Sequence, residues 1–116
     1  MASSLWSIVI DSHDPHRLGV WWARVLNYEI VEDNEEGLTL RHPKGEGPAL
    51  DFLPVPDEKV VKNRLHLDLN PDDRNAEVQR LIQLGASRVD IGQGDDVSWV
   101  VLADPEGNEF CVLQAR

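Results

Sequence analysis

The chain is poor in sulfur and in positive charge. Its 116 residues include one cysteine, Cys111, so an internal disulfide is excluded and a reducing compartment is favoured. Eleven Lys and Arg stand against 21 Asp and Glu, a formal net charge of −10. Too few cations remain to neutralise a phosphate backbone, which argues against nucleic acid as a partner. The acidic surplus permits a cationic ligand, and otherwise serves solubility. No apolar run approaches the ~20 residues of a spanning helix, and the N-terminal residues lack the basic and apolar regions of a signal peptide. A cytoplasmic location away from membranes is the expectation. No glycine-rich phosphate loop is present, because Gly92-Gln93-Gly94 is too short and precedes no helix. No Ser-His-Asp spacing is readable. What is left is the composition of a folded globule, with 41% hydrophobic and 28% charged residues, long enough for one domain spanning 1–116 with a real core.

What the chain does contain is a repeat. Residues 7–53 and 66–113 share the same order of elements and the same punctuation. Each half opens on an alternating strand, Ser7-Ile8-Val9-Ile10-Asp11 and His66-Leu67-Asp68-Leu69-Asn70. An Asp follows (Asp14, Asp73), then an amphipathic helix. A Pro-x-Gly turn comes later in each, Pro43-Lys44-Gly45 and Pro105-Glu106-Gly107, and each half closes on an apolar strand, Ala49 to Leu53 and Glu109 to Leu113. Two units are too few for a solenoid, so a facing pair around a shared cleft is the natural arrangement. The first unit spans about 5–53 and the second about 64–114, joined by a linker over 54–63 that carries Pro54 and Pro56.

Periodicity fills in the elements. Leu18, Trp21, Trp22, Val25 and Leu26 form one apolar stripe of a helix, capped by Asp14 with Pro15 at its first position. A second helix over about 73–84 carries Val78, Leu81, Ile82 and Leu84, and Gly85 stops it. Tyr28 to Asp33 with Gly37 to His42, and Ser87 to Ile91 with Val97 to Ala103, read as hairpins. The order is β-α-β-β-β twice, an α+β fold with two tandem units.

Alternation sorts the strand side chains onto two faces. Trp6, Ile8 and Ile10, then Leu65, Leu67 and Leu69, then Leu50 and Phe52, then Phe110 and Val112 give each sheet an apolar face to bury against a helix. The opposite face is mixed and holds Ser7, Asp11, Asp51, His66, Asp68, Cys111 and Leu113. It either meets solvent or lines a pocket of apolar walls with a few polar groups; the repeat favours the pocket. Trp99 belongs to either face. If it points inward, it offers a flat surface to an aromatic or cationic ligand. Trp21 and Trp22 read as core. His13 and His16 read as solvated, His42 as local turn structure, and Asp95-Asp96 with Glu35-Glu36 as hairpin tips.

These segments carry a resemblance. Trp21-Trp22, Leu26-Asn27-Tyr28, Arg64-Leu65-His66-Leu67-Asp68-Leu69 and Ala103-Asp104-Pro105-Glu106-Gly107-Asn108-Glu109-Phe110, set in two β-α-β-β-β units, resemble the glyoxalase-like branch of the vicinal oxygen chelate superfamily. Glyoxalase I, extradiol dioxygenases, fosfomycin resistance enzymes and bleomycin-binding proteins belong to it. The resemblance implies paired units that form a partly closed, barrel-like cleft. It places the superfamily's metal-ligand positions at Ser7, Asp51, His66 and Cys111. Ser7 is a poor ligand, so the implied metal set is Asp51, His66 and Cys111, a donor mix that suits zinc. Cys111 also reads as a small hydrophobe between Phe110 and Val112.

Two main functions follow, with a third beside them. One is a lyase, isomerase or dioxygenase acting on a small oxygenated molecule, with or without a divalent metal. Here His66 and Asp68 are the catalytic candidates, since a carboxylate beside an imidazole orients the ring for acid–base work. Ser7, Asp11, Asp51, Trp99 and Leu113 are the substrate-binding candidates. The other is a non-catalytic protein that sequesters a cationic or aromatic molecule, as bleomycin resistance proteins do. A sensor or accessory subunit is a third option. The repeat is compatible with a monomer or with a homodimer that exchanges units.

Overall fold

The computed structural model describes residues 2–89 and 99–115. The hairpin tip expected at Gly92 to Asp96 lies outside them. The chain divides into two compact units, Met1–Glu58 and Lys59–Arg116, and the division falls inside the predicted linker.

In the first unit β1 (Ser7–Ser12) leads to α1 (Pro15–Leu26), then to β2 (Glu29–Asn34), β3 (Gly37–Arg41) and β4 (Ala49–Pro54). The sheet order is β1-β4-β3-β2, with β1 parallel to β4 and the remaining pairs antiparallel. The second unit repeats this order: β5 (Leu67–Leu69), α2 (Arg74–Leu84), β6 (Ser87–Arg88), β7 (Trp99–Ala103) and β8 (Glu109–Leu113), arranged β5-β8-β7-β6. The α+β class and the tandem β-α-β-β-β units are thus what the sequence pattern predicts.

Local chemistry sets the helix ends alike in both units. The Asp14 carboxylate accepts from the Arg17 N–H and the Asp73 carboxylate from the Ala76 N–H, each at 3.2 Å. These bonds satisfy amides that have no partner inside the helix. Asn27 ends α1 and Gly85 ends α2 in the left-handed conformation. The predicted stripe of α1 is buried at Leu18, Trp21, Trp22 and Val25. The helix lies close to its sheet because Gly19 carries no side chain. A Cβ there would fall 2.4 Å from Leu38 Cδ2. Leu38, Leu40 and Phe52 complete that core, each at most 1% exposed. The second core holds Leu81, Leu102, Phe110 and Val112 at the same level of burial.

Three placements differ from the pattern. Trp6, expected against the helix, is 72% exposed, and the Arg41 guanidinium lies 4.9 Å from its ring centroid. It precedes β1, so strand alternation does not reach it. Leu65, expected on the apolar face, is 81% exposed, because β5 starts only at Leu67. His16 is not merely solvated: its Nδ1 lies 2.6 Å from Asp33 Oδ2 and ties the start of α1 to β2.

Candidate functional site

Strand register decides which side chains share a face, because residues opposite each other across a ladder point the same way. In the second unit Asp68 stands opposite Cys111, Val101 opposite Cys111 from the other side, and Trp99 opposite Leu113. Asp68, Cys111, Leu113, Val101 and Trp99 therefore occupy one face. This resolves the ambiguity of Trp99, which is 37% exposed there. Leu67, Leu69, Leu102, Phe110 and Val112 take the opposite, apolar face.

His66 immediately precedes β5 and turns its ring to Asp68. The Nδ1 to Oδ1 distance is 3.0 Å, and both side chains are about half exposed, 52% and 49%. Asp68 fixes the ring by accepting at Nδ1, which leaves Nε2 as the nitrogen for a ligand. Cys111 completes the group. Ligand-type atoms of His66, Asp68 and Cys111 all lie within 4.8 Å of one another. The thiol is held above its ordinary range, first by burial, then by the charge of Asp68 and a hydrogen bond to its carboxylate; Glu109 adds to this and Lys62 opposes it. Cys111 is thus a protonated donor to Asp68 under ordinary conditions, not a ready thiolate.

The first unit has a corresponding mixed face. Ser7 stands opposite Ala49, Val9 opposite Asp51, Asp11 opposite Leu53, and Thr39 opposite Asp51. The Thr39 hydroxyl donates to the Asp51 carboxylate. Ser7, Asp11 and Asp51 therefore share a face within their own sheet, as alternation predicts. Thr39 was missed in the sequence because only the β3–β4 register reveals it.

A divalent ion would find a usable donor set at His66, Asp68 and Cys111: one nitrogen, one carboxylate oxygen and one sulfur. Binding must first remove the thiol proton. A surface hollow of about 400 Å³ at the N-terminal end of α2, bordered by Asn70, Asp72, Asp73 and Glu77, includes none of the expected site residues.

Over residues 7–113 the sequence matches the glyoxalase-like domain family. The chain belongs to that family. It is thereby a member of the vicinal oxygen chelate superfamily. Solved structures agree at the level of the fold. A glyoxalase/bleomycin resistance protein/dioxygenase family enzyme from Burkholderia phytofirmans superposes with a TM-score of 0.72 at 17% identity, covering 95% of this chain and 97% of that one. A mutant of the fosfomycin resistance protein FosX from Listeria monocytogenes, complexed with Mn(II) and a dihydroxypropylphosphonic acid, gives 0.75 at 12%, covering 100% and 93%. The antibiotic-binding protein TnmS3 from a Streptomyces species gives 0.64 at 18%, covering 99% and 98%. Curated proteins gave no match. One fold thus carries a protein solved with Mn(II) and a phosphonic acid and another that binds an antibiotic, and fold alone does not choose between such functions.

Proposed function

We propose that this glyoxalase-like protein binds a small oxygenated molecule against the mixed face of its second sheet and moves a proton on it with His66. The observation that carries this reading is the His66–Asp68 pair, 3.0 Å apart and half exposed. Asp68 accepts a hydrogen bond from Nδ1–H and keeps the Nε2 lone pair available. Nε2 takes a proton from a carbon acid or hydroxyl of the ligand, and the imidazolium formed is stabilised by the Asp68 carboxylate. Return of that proton to a neighbouring atom gives an isomerisation, and loss of a leaving group gives an elimination. Cys111 donates to Asp68 and helps hold its carboxylate in place. Leu113 and Trp99 supply the apolar wall. Ser7, Asp11 and Asp51 are further ligand contacts on the mixed face of the first sheet. In a metal-bound form, which would replace this acid–base role of His66, a divalent ion held by His66, Asp68 and Cys111 would polarise a ligand oxygen. The lone cysteine supports work in a reducing cytoplasm.

A second reading rests on Trp99. An indole on the same face as Asp68, in a chain of net charge −10, suits capture of a cationic aromatic molecule without turnover. Both readings are tested together. Small carbonyl compounds and cationic aromatic compounds are screened by tryptophan fluorescence, and hits are followed by NMR in deuterated water. Deuterium entering the carbon next to a carbonyl, and lost in His66→Gln, supports proton transfer. Binding without exchange that fails in Trp99→Ala supports sequestration. Binding unchanged by His66→Gln, Asp68→Asn and Trp99→Ala overturns both.

A further inference from the structure

His66 lies just outside the β5 ladder, which begins at Leu67. Its place therefore depends on the segment that leads into it. Apolar burial contributes little there, since Val60, Val61 and Leu65 are 89%, 76% and 81% exposed. Two polar tethers hold it instead. Asn63 Nδ2 donates to Asn108 Oδ1 at 3.1 Å, and Lys62 Nζ donates to Glu109 Oε1 at 3.2 Å.

The far side of each tether is firm. Asp104 is only 3% exposed. Its Oδ1 accepts from the backbone N–H groups of Glu106 and Asn108, each at 2.9 Å, and its Oδ2 accepts from Asn108 Nδ2 at 3.0 Å. A buried carboxylate thus orients the Asn108 amide and presents its oxygen to Asn63. Glu109 is the first residue of β8, and its side chain is 14% exposed against 68% for Lys62. Lys62, the more exposed member of its pair, sits on the incoming segment with Asn63, while Asn108 lies in the turn before β8 and Glu109 opens that strand.

We propose that Asn63 and Lys62 are positioning residues, which strap the segment before His66 to the Asp104–Glu109 turn and so set the imidazole against Asp68. The functional consequence rests on the role assigned to His66 above; the positioning itself does not. Sequence alone did not point to them, because both tethers span more than forty positions.

Long-range nitrogen–carbon NMR correlation of the His66 ring at a pH where it is neutral tests this directly. The unaltered protein shows one tautomer, protonated at Nδ1. Asn63→Ala and Lys62→Glu show a mixture of tautomers and faster backbone motion at His66. The charge-swapped double variant Lys62→Glu with Glu109→Lys restores the single tautomer. Affinity for a ligand found in the screen falls about two- to fivefold in each single variant and recovers in the swap. Lys62 is exposed, so its replacement keeps the test open if Asn63→Ala fails to fold. A His66 spectrum unchanged in a folded Lys62→Glu or Asn63→Ala protein overturns the proposal. A tautomer shift in these variants, alongside binding that ignores His66→Gln, overturns the ligand reading and leaves the positioning role standing.

Discussion

In the first unit the pairing of β1 with β4 sets Val9 beside Asp51; in the second the pairing of β5 with β8 sets Asp68 beside Cys111. The frames match, but the carboxylate has changed strands. On β4, Asp51 is answered by the Thr39 hydroxyl from β3. At the matching place on β7 stands Val101, which cannot donate. Asp68 instead takes its partners from His66 and Cys111. The first carboxylate is satisfied by its own sheet. The second belongs to a half-exposed imidazole–carboxylate pair, the one to which the proposed proton transfer is assigned. Within one repeat, the same backbone holds a carboxylate paired across its own sheet in one copy and a half-exposed imidazole–carboxylate pair in the other.

The cores should not share this asymmetry. Phe52 and Phe110 are 0% and 1% exposed in their respective units. Phe52→Ala and Phe110→Ala are each expected to destabilise the fold by about 3–5 kcal/mol, through lost transfer energy and the cavity left behind. Urea denaturation measures both. A cost under about 1 kcal/mol in one unit only would show that the two cores differ as much as the two faces.

The faces should respond unequally. His66→Gln removes the ring nitrogen assigned to the ligand in the proposed reading, an expected loss of about 1.5–3 kcal/mol or at least tenfold in affinity for a bound oxyanion or carbonyl compound. Ser7 occupies the place in β1 that His66 occupies before β5, and it has only a hydroxyl to offer. Ser7→Ala is expected to change the same affinity less than threefold, in line with one neutral hydrogen bond. Titration calorimetry on the two variants decides the matter. Equal losses would mean that the first unit contributes as much chemistry as the second.

The fold was legible because its signals are local. Asp14-Pro15, Asp73, Gly85 and the stripe of Leu18, Trp21, Trp22 and Val25 each act within one or two turns of chain. The repeat then supplied the topology. The site was legible only in part. Alternation placed His66, Asp68 and Cys111 on the mixed face, and the family resemblance named Asp51, His66 and Cys111 as metal positions, whereas the donor atoms that lie together are those of His66, Asp68 and Cys111. The face of Trp99 needed the β7–β8 register, which no window of sequence contains. Trp6 and Leu65 were misplaced for one reason: both stand just before a strand begins, where period two no longer applies. The approach of α1 to its sheet was hidden as well. Gly19 looks like a weak point in a helix until Leu38 is seen beneath it. The second unit has Val78 at the same place counted from the cap, with its side chain buried. Gly19→Ala should therefore cost about 1–3 kcal/mol despite alanine's better helix propensity, because the added methyl overpacks the contact. A rise in melting temperature for Gly19→Ala would show that α1 yields as easily as a helix with room beneath it.

The smallest effect concerns the thiol that stands where the first unit has Asp51. Burial and the Asp68 carboxylate hold the Cys111 pKa above the ordinary thiol value of 9.0. The folded protein therefore keeps a proton that the unfolded chain releases first. Between the unfolded and folded values the native state binds more protons, so stability falls as pH rises. The contribution is complete below about pH 9 and is lost progressively above it, up to the raised folded value. Urea midpoints measured from pH 7 to 10.5 should decline at the alkaline end. Cys111→Ser keeps a donor to Asp68 but does not ionise in this range, so its decline should be shallower, while Asp68→Asn should move the onset to lower pH by removing the repelling charge. An alkaline slope identical in all three proteins would mean that the thiol is not coupled to Asp68, and Asp68 would lose one of the partners that set it apart from Asp51.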